Sequence, residues 1–196
     1  MSVVTDVLAV ASDVHRFSLD EYHRLIECGG FDEDARVELI EGVITNMSPR
    51  TREHDNAIRW LNRWLMRSVD EERFEVGVQT ALTLERSEPE PDLSVFGRDA
   101  PRPFHPGTAA LVIEVAVSSR DYDLRVKPNV YASAGIEEYW VVDLERRRVV
   151  VHRQASADGY GSVSAASAGE RVRAEALTLP ALDVAELFAA AFAQQR

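Results

Sequence analysis

Between Ala109 and Val117 the chain passes through nine residues that are apolar apart from one, Glu114. The run has no alternation that would leave one face wet, so it reads as a central strand buried on both faces. A strand of that kind needs layers packed on each side of its sheet, which points to a mixed α/β architecture. The ionisable Glu114 conflicts with such burial. A lone carboxylate taken out of water costs several kcal/mol or takes up a proton. A cation is therefore expected beside it, either a side chain or a metal ion.

The remaining sequence supplies the flanking elements. At 196 residues the length suits one well-cored domain, expected over residues 15–196, with residues 1–14 as a flexible N-terminal tail. Ser18-Leu19-Asp20-Glu21 forms a capping box that opens a helix stopped by Gly29-Gly30. Residues 37–40 and 43–47 read as short strands around the turn Glu41-Gly42. A second helix is expected from Thr51 to about Val69, with Ile58, Leu61 and Leu65 on one face. Residues 74–84 then read as strand, and Pro91-Asp92 leads into another over residues 93–96. After the central run, residues 121–134 read as a crossover helix ended by Gly135, followed by strands over 138–143 and 149–152. Residues 155–170, rich in Ala, Ser and Gly, read as a loose hairpin tip, and residues 180–193 as a closing amphipathic helix.

Of the 22 Lys and Arg residues, 21 are Arg, and Lys127 is the single lysine. Lysine is a compact point charge whose proton a site can tune, which arginine is not. Metal-dependent phosphodiester hydrolysis needs hard oxygen ligands for an ion such as Mg²⁺, with an ammonium nearby to orient water or stabilise developing charge. Asp92 opens one strand and Glu114 lies in the next. If those strands are neighbours in register, both carboxylates meet over one face. The plainer alternatives are that Asp92 caps a turn after Pro91 and that Glu114 pairs with an arginine.

Other residues carry weaker signals. His54 is a candidate for proton transfer or for support of the site, against the ordinary reading of a hydrogen-bonded surface histidine. Gln79 is a candidate to face the cleft. Glu41 reads as a solvated turn residue. Tyr139-Trp140 resembles a base-stacking platform but reads better as core. Arg59, Arg63 and Arg67 form a helical stripe that reads as a solvated face, with phosphate contact as the alternative. One cysteine, Cys28, excludes an intramolecular disulfide and a cysteine zinc cluster. The formal net charge of −11 argues against general nucleic-acid binding while leaving room for a local basic groove.

Several blocks together resemble the Uma2 family of restriction-endonuclease-like proteins. They are Arg36-Val37-Glu38-Leu39-Ile40-Glu41-Gly42, Met47-Ser48-Pro49 with His54, Pro91-Asp92-Leu93-Ser94-Val95, and Val112-Ile113-Glu114-Val115-Ala116-Val117-Ser118. Tyr122-Asp123, Lys127, Tyr131-Ala132 and the run from Gly135 to Asp143 continue the match, which spans roughly residues 18–190. The resemblance implies a PD-(D/E)xK nuclease core: a mixed central sheet flanked by helices, with an N-terminal helix and β-hairpin added. It implies Asp92 and Glu114 as metal ligands and Glu38 as a further acidic residue. The lysine usual two places after the glutamate is replaced by Ala116, and the resemblance assigns that role to Lys127 instead. Pro128 disfavours helical geometry at Lys127, so the lysine is expected at a helix start or a bend.

The function expected is a divalent-metal-dependent endonuclease acting on DNA, with Mg²⁺ as cofactor and Mn²⁺ as substitute. The alternatives are a catalytically silent nuclease-fold binding module and a metal-dependent hydrolase of a small phosphodiester. A cytoplasmic location, no membrane partner and, by analogy of fold, a homodimer complete the expectation.

Overall fold

The computed structural model describes residues 14–32 and 34–193. The expected N-terminal tail therefore lies outside the described residues, except for Val14. Helix α1 (Leu19–Glu27) starts at the Ser18–Glu21 capping box and ends before Gly29, which adopts φ 71°. Strands β1 (Val37–Ile40) and β2 (Val43–Asn46) form the expected hairpin. Gly42 makes its turn possible: it takes φ 76°, and a Cβ added there would come within 2.7 Å of the Arg16 Cβ. Helix α2 (Arg52–Met66) is capped by Thr51, whose hydroxyl accepts from the His54 N–H.

The main sheet has six strands in the order β3 (Phe74–Val78), β4 (Leu93–Gly97), β5 (Leu111–Ala116), β6 (Glu138–Asp143), β7 (Arg148–Ser156) and β8 (Gly159–Ser167). All neighbours are antiparallel except β5 and β6, which run parallel. That parallel pair needs a crossover, and α3 (Arg120–Arg125) and α4 (Lys127–Ser133) provide it. A two-stranded ladder of β9 (Arg171–Val172) and β10 (Leu182–Asp183) precedes the last helix, α5 (Val184–Ala191).

The pleat sorts the core. Leu111, Ile113 and Val115 of β5, with Leu93 and Val95 of β4, pack against Leu61 and Leu65 of α2 and Leu187 of α5. Val112 and Ala116, with Phe96 of β4 and Tyr139 of β6, face the opposite cluster, which includes Val130 and Tyr131 of α4. Both faces of β5 are thus covered, as its sequence requires. Removing a buried Leu or Ile from water contributes roughly 1.5–3 kcal/mol, so the sandwich of helix, sheet and helix dominates the stability.

Four expectations are corrected. The strand expected over residues 74–84 stops at Val78, because Gln79 takes φ 49° and turns the chain out of the ladder. Leu82 and Leu84 stay buried but bond instead to Pro89 and Ser87 of the following loop. The crossover helix is two helices, broken at Val126. Pro128 sits in the first turn of α4, where its missing N–H is tolerated. Residues 155–170 are not a loose tip: β7 and β8 pair as far as Ser156 and Gly159, interrupted only at Gln154, which takes φ 60°. Small residues suit this exposed outer strand, and the ladder with β7 compensates for their low intrinsic strand preference. The closing helix begins only at Val184, where Asp183 caps it.

Candidate active site

Register brings the two strand carboxylates together. Leu93 of β4 stands opposite Ile113 of β5, so the next residues along, Asp92 and Glu114, project side by side on the face that α4 covers. Their contact is direct: the Asp92 N–H donates to Glu114 Oε2 over 3.2 Å. Asp92 Oδ2 accepts from the Val115 N–H at 2.8 Å, and the Gln79 N–H donates to the Asp92 carbonyl.

Lys127 reaches the same point from the first turn of α4. Its Nζ lies 2.7 Å from Glu114 Oε1, 3.3 Å from Glu38 Oε2 and 3.8 Å from Asp123 Oδ1. The placement of Pro128 after it therefore aims the ammonium into the site. All four side chains are buried or nearly so, with Asp92 at 8%, Glu114 at 4%, Lys127 at 5% and Glu38 at 3% exposure. Tyr131 Oη donates to Glu114 Oε1 at 3.0 Å, and Ser119 Oγ donates to Asp123 Oδ2. His54, in the first turn of α2, places Nε2 3.2 Å from Asp92.

These groups set one another's charge. Burial raises the Glu114 pKa well above the usual carboxylate range, and Asp92, Asp123 and Glu38 add to it against the pull of Lys127. Burial likewise raises Asp123. For Lys127 burial favours the neutral amine, but Glu114, Glu38 and Asp123 outweigh it and hold the proton firmly. Burial also opposes the charge on Asp92, yet the His54 hydrogen bond and the Val115 N–H bring its pKa below normal. His54 in turn is raised, because Asp92 and Asp55 overcome its desolvation.

The cluster opens into a cavity of about 240 Å³. Its floor is Asp92, Glu114 and Lys127, and one wall comes from Thr45, Met47 and Pro49, supplied by β2 and the loop after it. The N-terminal hairpin thus closes the site and delivers Glu38. Of the residues singled out in the sequence, Asp92, Glu114, Lys127, Glu38 and His54 line this one cavity. The Gln79 side chain does not, and its backbone alone reaches Asp92. Glu41 lies at the hairpin turn, paired at 3.8 Å with Arg86. Tyr139 and Trp140 are wholly buried and offer no stacking platform. Arg59, Arg63 and Arg67 are exposed along α2. Sequence reasoning gave no role to Asp123 or Tyr131. The i,i+4 spacing of Asp123 and Lys127 was a readable signal for the first.

The donor set suits a hard divalent cation. Asp92 and Glu114 present carboxylate oxygens to one cavity, and the crowd of acidic groups around a single ammonium leaves negative charge for a cation to balance. Among the described residues no group of three or more His, Cys, Asp or Glu is arranged to hold a metal. Mg²⁺ does not demand such a cage, because it commonly keeps several waters and takes one or two carboxylates.

Comparison with known proteins agrees with this architecture. A crystal structure of a putative nuclease belonging to DUF820 from Anabaena variabilis superposes with a TM-score of 0.71 at 17% identity, covering 90% of this chain and 99% of that one. At that identity the likeness concerns the fold. No curated protein matches the chain. Among the described residues no helix is long and apolar enough to cross a membrane. The Uma2 family, described as "putative restriction endonuclease", matches residues 19–185, and the chain belongs to that family.

Proposed function

We propose that this chain is a divalent-metal-dependent endonuclease that hydrolyses DNA phosphodiester bonds, with Mg²⁺ as its ion and Mn²⁺ as a working substitute. The observation that carries the reading is the meeting of Asp92 and Glu114 on adjacent strands, in a buried cavity that also receives the chain's single lysine. Membership of a nuclease-like family and the nuclease fold support it.

Asp92 and Glu114 would hold the ion. When bound, the cation neutralises charge on the phosphate and on the leaving oxygen. The chain's own groups do the rest. Lys127, fixed in its charged form, orients the attacking water and stabilises the charge that builds on the phosphoryl oxygens. Glu38 balances that ammonium and keeps it at the cavity floor. His54 fixes the Asp92 carboxylate, so that its oxygens face the cavity without a search through rotamers.

The test is calorimetric titration of Mn²⁺ and Mg²⁺ into the parent and Asp92→Ala, followed by cleavage assays on supercoiled, linear and single-stranded DNA. Stoichiometric binding and cleavage by the parent, both lost in the variant, support the reading. Cleavage that survives Asp92→Ala, Glu114→Ala and Lys127→Ala alike sinks it. One observation favours a second reading, a catalytically silent nuclease-fold module: the chain carries a net charge of −11, which repels a polyanion. Tight metal binding without turnover on DNA or on any small phosphodiester selects that reading.

A further inference from the structure

A phosphate entering a carboxylate-lined cavity needs hydrogen-bond donors, and most donors buried there are already committed. Lys127 serves Glu114 and Glu38, and His54 Nε2 serves Asp92. Ser119 Oγ donates to Asp123, and Thr45 Oγ1 donates to the Glu38 carbonyl. One exception is Tyr122. The residue lines the cavity, with Lys127 Nζ 6.0 Å from its ring centroid, and its hydroxyl oxygen is buried without a hydrogen-bond partner among the described residues. Thr45 lies beside it as a polar neighbour that lowers the phenol pKa, but the Thr45 hydroxyl donates to the Glu38 carbonyl and no Tyr122–Thr45 hydrogen bond of normal geometry forms. A second buried atom in the cavity lining, His54 Nδ1, also lacks a hydrogen bond, but it lies 3.6 Å from Asp55.

A buried hydroxyl left unpaired destabilises a fold by more than its hydrogen bond would contribute, so it calls for an explanation. Burial first, then the nearby Glu38 and Asp123, raises the phenol pKa despite Thr45 and Lys127. The group therefore keeps its proton at neutral pH and acts as a donor. Its position on α3 is fixed by backbone bonds at both ends: the Tyr122 N–H donates to the Ser119 carbonyl, and the Tyr122 carbonyl accepts from the Val126 N–H. A neutral donor on a fixed backbone, in a side chain that lines a cavity otherwise rich in acceptors, is suited to an anion's oxygen.

We propose that the Tyr122 hydroxyl donates a hydrogen bond to a non-bridging oxygen of the substrate phosphate, making it a substrate-binding residue of this site. The proposal rests on the nuclease reading for its substrate, but its test does not depend on turnover. Inorganic phosphate is titrated by calorimetry into the parent, Tyr122→Phe and Thr45→Val, with and without Mn²⁺, and the thermal midpoint of each protein is recorded. Losing one hydrogen bond to a charged oxygen is expected to weaken phosphate binding by about tenfold to a hundredfold in Tyr122→Phe. The midpoint should stay level or rise, because an unpaired buried hydroxyl has been removed. Mn²⁺ binding should be retained. Phosphate affinity equal to the parent's overturns the proposal, as does a parent that binds no phosphate under either condition. A midpoint that falls equally in Tyr122→Phe and Thr45→Val also overturns it, since the hydroxyl would then serve the fold. Failure of the nuclease reading shows separately, as a parent that binds phosphate and cleaves no DNA.

Discussion

Lys127 Nζ lies 2.7 Å from Glu114 Oε1, and the two side chains approach from different layers, Glu114 from the middle of β5 and Lys127 from the first turn of α4. This ion pair resolves the conflict that Glu114 creates inside an apolar run. It also ties the crossover helices to the sheet at the point where the candidate catalytic groups gather. Fold and site share the same contact, so disturbing the chemistry here also disturbs the packing.

Lys127 is accordingly expected to matter for stability as well as activity. Lys127→Met leaves Glu114, Glu38 and Asp123 buried without their ammonium. Breaking a buried pair in this way costs about 3–5 kcal/mol. The pH dependence has a definite sign. Glu114 and Asp123 already have folded-state pKa values above their ordinary ones, and loss of the lysine raises them further. Stability from a raised pKa is present at low pH and is lost as pH rises through the folded value. The gap between parent and variant in urea unfolding should therefore narrow from about pH 7 to about pH 5. A gap independent of pH would show that the carboxylates do not depend on Lys127 for their charge.

His152 gives an independent pH signature away from the site. It packs between Tyr139 and Tyr160, its Nε2 has no partner among the described residues, and burial pushes its pKa down from 6.5 to about 4. The unfolded chain binds this proton below about pH 6.5, while the folded chain refuses it until about pH 4. Stability is thus present above pH 6.5 and lost as pH falls toward 4, by up to on the order of 3 kcal/mol. His152→Phe should remove that part of the acid sensitivity. Denaturation curves for parent and variant that run parallel from pH 7 to pH 4 would exclude the lowered pKa.

Much of this was legible in the chain because local signals agreed with tertiary demands. The capping box at Ser18, the turn at Gly42 and the apolar run around Glu114 each have one physical solution, and the structure adopts it. The missed features depend on partners distant in sequence. Gln79 leaves the ladder at a positive φ that no local pattern announces. The stretch 155–170 has few strand-forming side chains, Tyr160 and Val163, and gains its regularity from pairing with β7. Within the site, Asp92, Glu114 and Lys127 stood out by residue type and context. Asp123 offered only its i,i+4 spacing to Lys127, and Tyr131 is an ordinary helix residue until the fold turns it toward Glu114.

Glu138 shows how a carboxylate can be buried for structure alone. It is 1% exposed, and its Oε1 accepts from Trp140 Nε1 and from Arg153. Its Oε2 accepts from the backbone N–H groups of Glu175 and Ala176, which tethers the segment after β9 to the sheet. Glu138→Ala strands Arg153 and three other donors and should lower stability by about 3 kcal/mol or more. Because Glu138 does not line the Asp92–Glu114 cavity, calorimetric Mn²⁺ binding should persist in the folded fraction. Loss of metal binding at temperatures where the variant remains folded would contradict that separation.

Tyr131 bears on which oxygen of Glu114 would serve the proposed ion. Oε1 already accepts from both Lys127 Nζ and Tyr131 Oη, whereas Oε2 accepts from the Asp92 N–H alone and lies on the side toward Asp92. The two donors on Oε1 pin the carboxylate and leave Oε2 as the oxygen with spare capacity for the proposed cation, which it would share with Asp92. Tyr131→Phe preserves the ring packed against Tyr139 and deletes one of the pins. Supporting contacts of this kind typically change metal affinity by about 10–100-fold. The variant is expected to bind Mn²⁺ about tenfold more weakly while unfolding within about 3 kcal/mol of the parent. Unchanged Mn²⁺ affinity in calorimetry would mean that Lys127 alone orients Glu114 and that the Tyr131 hydroxyl acts on the fold rather than on the site.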